Sequence, residues 1–189
     1  LTNHSVPTLV SSNQDIIMSF INKYKQVVVK PLNLMGGQDI IKLSYRDKSL
    51  SRKITNITQD AEKFIMVQKY LNQIKNGDTR ILIINGIVHE DVLVRYPPKN
   101  DFRANLSYGG KFEVKKIKYK HLSHLKDIGV FLKNNRIYFA GVDMIGDYIT
   151  EINITSPTGI QQIETKDKYL SSKISKEFEK IVEQYYDDK

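Results

Sequence analysis

Residues 80–94 are RILIINGIVHEDVLV, in which Asn85-Gly86 separates two runs rich in apolar residues. Asn-Gly is the dipeptide best suited to a two-residue type I′ turn, because both central positions of that turn need a positive φ. The stretch therefore predicts a β-hairpin whose strands cover residues 80–84 and 87–94.

Strands and helices are mixed along the rest of the chain. Ser12 is predicted to cap a helix that begins at Asn13, and apolar residues at helical spacing predict helices over 121–133 and 174–185. Runs of apolar residues, many of them β-branched, predict further strands at 27–29, 64–70, 137–144 and 148–154. This mixture, in which hairpins are prominent, favours an α+β fold with antiparallel sheets.

The composition excludes several classes of protein. The 189 residues include no cysteine, which excludes disulfides and thiolate metal sites. No stretch approaches the roughly 18 apolar residues that a membrane span needs, and the first residues lack the pattern of a secretory signal. We therefore expect a cytoplasmic protein with no membrane partner.

The formal net charge of +8 is the feature that suggests a nucleic-acid partner. The densest basic run, KFEVKKIKYKH at 111–121, interleaves lysines with aromatic residues, which would suit phosphates and stacked bases. The alternative is a solvated strand edge that leads into a helix, since runs of charge usually face water. We favour this alternative and expect no nucleic-acid partner.

Three polar residues near the end of the chain have the chemistry of a magnesium site. Glu151 and Asn153 are two apart on a predicted strand, so their side chains share a face. If the connection around Gly146-Asp147 loops out three residues, Asp143 lies opposite Glu151. Two carboxylates and a carboxamide are hard ligands that suit Mg²⁺. The alternative is that these residues occupy the exposed face of an ordinary hairpin.

A lysine near a glycine pair is a candidate phosphate ligand. Lys30 ends a buried-looking strand and precedes Gly36-Gly37, where backbone N–H groups could approach an anion closely. The stretch is not a Walker A loop, because the Gly-Lys-Ser/Thr ending is absent. The alternative for Lys30 is a simple exposed side chain.

Three arginines are further candidates for binding phosphates or carboxylates, because a guanidinium group can hold either in a bidentate manner. They are Arg80, Arg95 and Arg103. Arg103 lies in residues 96–111, a stretch with Gly and Pro and little apolar periodicity, which is typical of a mobile lid.

Two histidines, His121 and His124, are three residues apart on a predicted helix. A metal site built from this pair would need a third ligand, and the sequence offers none beside them. We therefore expect both to be surface residues.

Longer strings that contain these residues resemble bacterial-type glutathione synthetases along most of the chain. The matching strings keep their order and separations, and they are VKPL (29–32), MGG (35–37), GDTRIL (77–82), FRANL (102–106), GG (109–110), GVDMIGD (141–147) and TEINITSPTGI (150–160). Agreement over so many residues is far more specific than any single motif. It favours the metal and phosphate interpretation over the alternatives given above.

The resemblance implies the ATP-grasp fold, in which two α+β subdomains with antiparallel sheets hold ATP between them. Residues 1–70 would be the remainder of the central subdomain, with its Gly-rich small loop. Residues 71–189 would be the C-terminal catalytic subdomain, with 96–111 closing as a lid. The family has a further N-terminal substrate domain, which we expect this chain to lack.

Residue roles are implied by position in the resemblance. Lys30, Gly36 and Gly37 would contact the phosphates of ATP. The adenine would be bordered by Gln68, Lys69, Tyr70 and Leu71. Asp78 would contact the ribose. The Mg²⁺ ligands would be Asp143, Glu151 and Asn153, and Asn153 would also contact the nucleotide. The phosphates and the acyl intermediate would be steadied by Arg80, Arg95 and Arg103. The peptide or amine substrate would be contacted by Arg95, Asn153, Ser156, Pro157 and Thr158.

The activity implied by the resemblance is the ATP-dependent joining of a carboxylate to an amine, with Mg²⁺, or Mn²⁺ in its place. The C-terminal carboxylate of γ-glutamylcysteine would be phosphorylated and then joined to glycine, giving glutathione, ADP and phosphate. The alternatives are a different ATP-grasp peptide ligase and a truncated nucleotide-binding module without activity. A homo-oligomer is also implied.

Overall fold

The structure, a computed structural model, describes residues 4–33, 38–106 and 109–187. The described chain forms two compact units: residues 5–72 form the first, and His4 with the residues from Gln73 onward forms the second. Each unit contains its own antiparallel sheet and its own helices, so the α+β prediction is confirmed. The assignment of 1–70 and 71–189 to ATP-grasp subdomains stays a prediction. No helix in these described ranges is long and apolar enough to cross a bilayer.

The first unit is a four-stranded sheet with two helices. Its elements are β1 (Thr8–Ser11), α1 (Gln14–Tyr24), β2 (Gln26–Pro31), β3 (Ile41–Ser44), α2 (Leu50–Thr58) and β4 (Ile65–Lys69). The strand order is β1-β4-β2-β3, and every neighbouring pair is antiparallel. Nine apolar side chains from the helices and strands form its core: Ile17, Ile21, Val27, Val29, Leu43, Leu50, Ile54, Ile65 and Val67.

Helix α1 begins one residue later than the sequence predicts. Its N-cap is Asn13, whose side chain accepts a hydrogen bond from the backbone N–H of Ile16 at 3.1 Å. The prediction that Ser12 caps this helix is therefore wrong. Ile17 and Ile21, which are four residues apart and therefore on one helix face, are both fully buried.

The second unit contains the larger sheet. Its elements are β5 (Asp78–Ile84), β6 (Ile87–Val88), β7 (Asp91–Tyr96), β8 (Lys111–Lys116), α3 (Tyr119–Asn134), β9 (Phe139–Ile145), β10 (Tyr148–Asn153), α4 (Ile160–Ile163) and α5 (Leu170–Asp187). The strand order is β10-β9-β5-β7-β8, and β6 pairs with β5. A 3-10 helix over Asn72–Asn76 precedes β5.

The Asn85-Gly86 turn forms as predicted, with φ values of 48° and 81°. The strand predicted over 87–94 is broken, however, because β6 ends at Val88 and β7 begins at Asp91. The two residues between these strands shift the register against β5 by two. A shift of two preserves the alternation of side chains between the faces, so β7 still presents its apolar residues correctly.

The two faces of the larger sheet pack against different helices. One face and α3 share a cluster formed by Ile81, Ile83, Val92, Val94, Leu125, Ile128, Leu132, Ala140, Val142, Met144 and Ile149. The opposite face packs against α4 and α5 through Leu82, Leu93, Ile163, Leu170 and Ile174. Arg80 lies two residues before Leu82 on β5, so its side chain is on the α4–α5 face of the sheet.

The first turns of α3 are less exposed than predicted. His121 is buried, and its Nε2 lies 3.0 Å from Oδ1 of Asp147 in the β9–β10 turn. The ring of His124 stacks on that of His4, with centroids 4.0 Å apart. The expectation that His121 is a surface residue is therefore wrong, because α3 packs this side chain against the β9–β10 turn, whereas His124 remains partly exposed.

Candidate functional site

The turn of the β9–β10 hairpin differs from the expected one. Tyr148 pairs with Ile145, so only Gly146 and Asp147 lie in the turn. The expected connection looped out three residues. In a regular hairpin with this two-residue turn, Asp143 would lie opposite Thr150 and not opposite Glu151.

A β-bulge at Thr150 restores the predicted pairing. Ile149 lies opposite Met144, but Glu151 lies opposite Asp143, so β10 has one extra residue at this point. The Thr150 hydroxyl donates a hydrogen bond to the backbone carbonyl of Asp143 at 3.2 Å, across the bulge. The prediction that Glu151 faces Asp143 is confirmed, although the cause is a bulge and not a longer turn.

The bulge also fixes which residues face the helix α3. Ile149 belongs to the cluster on the α3 side and Ile152 packs against it, although the two are an odd number of positions, three, apart. Glu151 and Asn153 follow the bulge and point to the opposite face. Without the extra residue, the apolar and polar positions that follow it would exchange faces.

Charged side chains form a row across three neighbouring strands on the α4–α5 face. Arg80 of β5 pairs with Asp143 of β9, which in turn pairs with Glu151 of β10. The amide nitrogen of Asn153 lies 3.4 Å from Oδ2 of Asp143 and 3.4 Å from the carbonyl oxygen of Gly141. The three predicted metal ligands are thus brought together on one face of the sheet.

The exposure of these three residues suits a cation that also contacts substrate. The carboxylate of Asp143 is buried, Asn153 is half-buried and Glu151 is exposed. No group of three His, Cys, Asp or Glu residues in the described ranges is arranged to hold a metal. Mg²⁺ usually keeps several water or phosphate oxygens and needs few protein ligands, so two carboxylates and an amide oxygen fit its chemistry.

Arg80 forms hydrogen bonds from all three of its guanidinium nitrogens to Asp143 and Thr158. Its Nε and Nη2 donate to the two carboxylate oxygens of Asp143, the second at 2.8 Å. Its Nη1 donates to the backbone carbonyl of Thr158 at 2.9 Å. Arg80 is only 6% exposed. The guanidinium of this candidate phosphate ligand is therefore buried on the sheet face and paired with the Asp143 carboxylate.

Arg95 links two acidic residues and keeps one donor available. Its Nη2 donates to Oδ2 of Asp78 at 2.6 Å and lies 3.0 Å from Oδ1 of Asp143. The buried Nε–H of Arg95 has no hydrogen-bond acceptor among the described residues. An unsatisfied buried donor on a charged group is costly unless a ligand accepts from it, so this atom fits an anion such as a phosphate.

The pKa of Arg95 is set by two opposing effects. Burial lowers the pKa of this guanidinium, but the charges of Asp78, Asp143 and Glu151 raise it by more, so the net change is upward. Arg95 therefore stays protonated and positive within a mostly buried, acidic surrounding.

Arg103 forms a local pair within the predicted lid. Its Nη2 donates to Oδ2 of Asp101 at 2.7 Å, and its backbone N–H donates to Oδ1 of the same residue at 3.0 Å. The side-chain hydrogen bond from Arg103 lowers the pKa of Asp101 below its ordinary value. The described lid residues between Tyr96 and Lys111 contain no strand or α-helix.

The predicted substrate segment lies in the connection between β10 and α4. Thr158 accepts from Arg80, and Pro157 lies beside Gly141, while Ser156 is exposed. Thr158 and Pro157 thus adjoin the row of charged residues. Their role toward a substrate stays a prediction.

The candidate nucleotide residues of the first unit lie on β2 and at the end of β4. Lys30 is half-buried and pairs with Met66. Gln68 is buried and donates to the Thr8 hydroxyl at 3.1 Å. Lys69 ends β4, and the Lys42 ammonium lies 3.5 Å from the centroid of the Tyr70 ring.

Two further assignments in this unit concern the hinge and the small loop. Leu71, the last predicted hinge residue, is buried. Gly36 and Gly37 lie outside the described residues. That all these residues contact ATP remains a prediction.

Gly141 is a functional position that sequence reasoning missed. A Cβ at this residue would lie 3.0 Å from Cδ of Arg80 and 3.0 Å from Cβ of Pro157, closer than real Cβ contacts usually come. The absence of a side chain therefore lets Arg80 lie flat between Asp143 and Thr158. A glycine inside a predicted strand was the available signal, since it often marks a close approach.

The basic run at 111–121 is a strand edge followed by a helix, as predicted. Two of its lysines are paired locally: Lys115 lies 2.6 Å from Glu113, and Lys116 lies 3.1 Å from Asp91. Hydrogen bonds to Glu113 and to Tyr96 raise the pKa of Lys115. Lys115 and Lys116 are therefore engaged within the protein.

Comparison with known proteins gives consistent findings. A family model described as the ATP-grasp domain of prokaryotic glutathione synthetase matches residues 1–168. The glutathione synthetase of Coxiella burnetii is 38% identical over 164 residues, which are 86% of this chain and 51% of that protein. That of Buchnera aphidicola is 41% identical over 157 residues, which are 83% of this chain and 48% of that protein. The chain spans about half the length of these curated relatives.

Solved structures resemble the fold at low sequence identity. The D-alanine–D-alanine ligase of Bacillus anthracis aligns with a TM-score of 0.63 and 15% identity, covering 96% of this chain and 64% of that one. An ATP-grasp ligase complexed with a minimal precursor, Mg and ADP aligns with a TM-score of 0.60 and 16% identity, covering 86% of this chain and 48% of that one. At such identities the likeness concerns the fold alone, and it confirms the predicted ATP-grasp fold.

Proposed function

Because this chain belongs to the family of prokaryotic glutathione synthetase ATP-grasp domains, we propose that it is the nucleotide- and metal-binding part of an ATP-dependent ligase that joins a carboxylate to an amine. The finer proposal is glutathione synthesis. The C-terminal carboxylate of γ-glutamylcysteine takes the γ-phosphoryl group of ATP, and the amine of glycine then displaces phosphate. The products are glutathione, ADP and phosphate.

One observation carries this proposal: Asp143, Glu151 and Asn153 converge on one sheet face beside Arg95, whose Nε–H has no acceptor among the described residues. Oxygen ligands next to an unsatisfied cationic donor suit a divalent cation together with the phosphates that it binds. If these residues were only the exposed polar face of a hairpin that binds no ligand, the buried Nε–H of Arg95 would have no acceptor and would destabilise the fold.

The donor set fits Mg²⁺, or Mn²⁺ in its place. Asp143, Glu151 and Asn153 would hold the cation, which supplies charge neutralisation of the ATP phosphates when it is bound. Arg80 and Arg95 keep the Asp143 carboxylate oriented toward the site, and Arg95 offers its remaining donor to a phosphate oxygen. Little covalent chemistry is needed from the protein, because positioning and electrostatic stabilisation account for most of this catalysis.

The remaining nucleotide contacts are proposed from the family. Lys30 with Gly36 and Gly37 would meet the phosphates, and residues 68–71 would border adenine. Asp78 would accept from a ribose hydroxyl. The hydrogen bond from Arg95 to Asp78 supports this placement, because it connects the ribose residue directly to the proposed phosphate residue.

The lid and the substrate contacts complete the proposal. Residues 96–111 would close over the reaction and keep water from the acyl phosphate, with Arg103 leaving Asp101 to meet the phosphates. Arg95, Asn153, Ser156, Pro157 and Thr158 would contact the peptide or the amine. A cytoplasmic location and a homo-oligomer remain predictions.

The reaction is tested by measuring ADP release with Mg²⁺-ATP, first with γ-glutamylcysteine and glycine and then with a panel of other acids and amines. The proposal expects release that requires both γ-glutamylcysteine and glycine. Release with another pair would indicate a different ATP-grasp ligase. Nucleotide binding without release for any pair would indicate a binding module without activity.

A further inference from the structure

In the described part of the chain, few hydrogen bonds join the connection from β10 to α4 to the sheet. Residues 154–159 lie between Asn153, the last residue of β10, and Ile160, the first of α4. Within the described ranges, the hydrogen bonds to residues 154–158 come from Arg80, whose Nη1 reaches both the carbonyl and the hydroxyl oxygen of Thr158, at 2.9 Å and 3.4 Å. Arg80 is thus the principal polar anchor of this connection.

The same guanidinium holds the Asp143 carboxylate with its other two nitrogens. A guanidinium is planar and rigid, so its two sets of hydrogen bonds have a fixed mutual geometry. An orientation of Asp143 therefore corresponds to a definite position of the Thr158 backbone. Because Arg80 is buried and its pair with Asp143 is bidentate, this relation is not loosened by solvent.

The local packing supports the same relation. The side chain of Arg80 passes over Gly141, and Pro157 lies against the same glycine from the connection. Asp143 lies two residues after Gly141 on β9, so both side-chain positions face the connection. The glycine, the arginine and the proline form a compact stack between the sheet and residues 154–159.

From these contacts we infer that Arg80 is a positioning residue that fastens the Thr158 backbone to the Asp143 carboxylate. The inference rests on the proposed function, in which Asp143 binds the cation and residues 156–158 contact the substrate. It gives Arg80 a different task from Arg95, whose Nε–H is still available to a ligand. In this arrangement, one buried guanidinium sets the distance between the cation and the substrate segment.

The test uses backbone ¹⁵N relaxation of the full chain without ligand, which gives order parameters for Thr155, Ser156, Thr158 and Gly159. In the parent chain we expect values near the roughly 0.85 of rigid backbone, and in Arg80→Lys values that fall below about 0.6. A lysine ammonium cannot bond to both carboxylate oxygens and to the Thr158 carbonyl in this fixed geometry.

Two further variants separate geometry from charge. Gly141→Ala keeps the guanidinium but places a methyl group 3.0 Å from Arg80 and from Pro157, so it should also lower these order parameters. Arg95→Lys removes a contact to Asp143 without touching the connection, so it should leave them at parent values. Order parameters of β5 and β9 report whether each variant is folded.

A second measurement uses Mn²⁺ alone as a paramagnetic probe. In the parent, bound Mn²⁺ should broaden the amide signals of Thr155, Ser156, Thr158 and Gly159, because the connection is held next to the site. In Arg80→Lys, binding should weaken roughly 10–100-fold, as is usual when a residue that orients a metal ligand is changed. The broadening at saturating Mn²⁺ should also become weaker and less localised.

Parent-like order parameters in Arg80→Lys would overturn the inference, as would equal loosening in Arg95→Lys. A parent chain that binds no Mn²⁺ would count against the proposed cation site instead. In that case, the ligand-free order parameters would still decide whether Arg80 fastens the connection.

Discussion

Glu151 lies directly opposite Asp143 because one additional residue, Thr150, bulges out of β10. The pairing joins an exposed carboxylate to a buried one on the same sheet face. Two-residue turns and regular strands alone would have placed Glu151 on the face that packs against α3. The proposed metal site therefore depends on an irregularity of the strand as much as on the identity of its ligands.

Deletion of Thr150 should remove cation binding. The residues after the deletion would move by one position, so Glu151 and Asn153 would turn toward the apolar α3 face. Thr150→Val keeps the bulge and removes the hydrogen bond from the Thr150 hydroxyl to the Asp143 carbonyl, so it should cost about 0.5–1.5 kcal/mol of stability and retain binding. Mn²⁺ titration followed by electron paramagnetic resonance measures both variants. Equal Mn²⁺ affinity in the deletion and the parent would contradict the role of the bulge.

Arg95→Met should strongly destabilise the second unit. Asp78 and Asp143 would lose a buried cationic partner, and loss of one member of a buried ion pair typically costs about 3–5 kcal/mol. Urea unfolding followed by circular dichroism measures the change. The exposed pair of Lys180 with Glu177 offers a control, because Lys180→Met should change stability by less than about 1 kcal/mol. Similar losses for the two variants would show that the Arg95 pairs are not energetically important.

Asn13→Ala should destabilise helix α1 by about 0.5–2 kcal/mol, since it removes the side chain that accepts from the Ile16 N–H. Ser12→Ala is the matched control and should change stability by less than about 0.5 kcal/mol. Thermal unfolding of both variants decides between the observed cap and the one that the sequence predicted. A larger loss of stability in Ser12→Ala than in Asn13→Ala would show that Ser12 is the N-cap.

Acidification should destabilise the fold through two histidines. Burial lowers the pKa of His89, against the opposing charges of Asp167 and Asp91, and burial also lowers the pKa of His124, next to His4 and His121. The unfolded chain then binds more protons than the folded chain as pH falls. Stability is therefore complete above the ordinary histidine pKa of about 6.5 and declines as pH falls below it.

Unfolding free energies measured between about pH 8 and about pH 5.5 test this pH dependence. Replacement of both residues in a His89→Gln, His124→Gln variant should reduce the slope over that range. An unchanged slope in the double variant would assign the acid sensitivity to other groups. A rise in stability on acidification of the parent would contradict the expected sign.

The predictable part of the fold follows from local patterns. Asn85-Gly86 specifies its turn because both residues tolerate a positive φ, and buried positions such as Ile17 and Ile21 recur at helical spacing. The cap was misplaced by one residue because Ser12 and Asn13 are both good N-caps, and the local sequence does not choose between them. These outcomes depend on neighbours in the chain, which the sequence displays directly.

The unpredicted part follows from contacts between distant segments. The bulge at Thr150 and the break between β6 and β7 depend on how strands align with their partners, which single-strand patterns do not specify. The burial of His121 depends on Asp147, 26 residues away. Likewise, the close approach of Arg80 to Thr158 joins residues that are 78 positions apart in the chain, which no local pattern specifies.

The central claim is that the face formed by Asp143, Glu151 and Asn153 binds a divalent cation together with a nucleotide's phosphates. Isothermal titration of the chain with ADP, in the presence and absence of Mg²⁺, tests it most directly, with an Asp143→Asn, Glu151→Gln variant as the control. We expect nucleotide binding that requires Mg²⁺ and is lost in the double variant. Equal binding with and without Mg²⁺, or an unaltered affinity in the double variant, would contradict the claim.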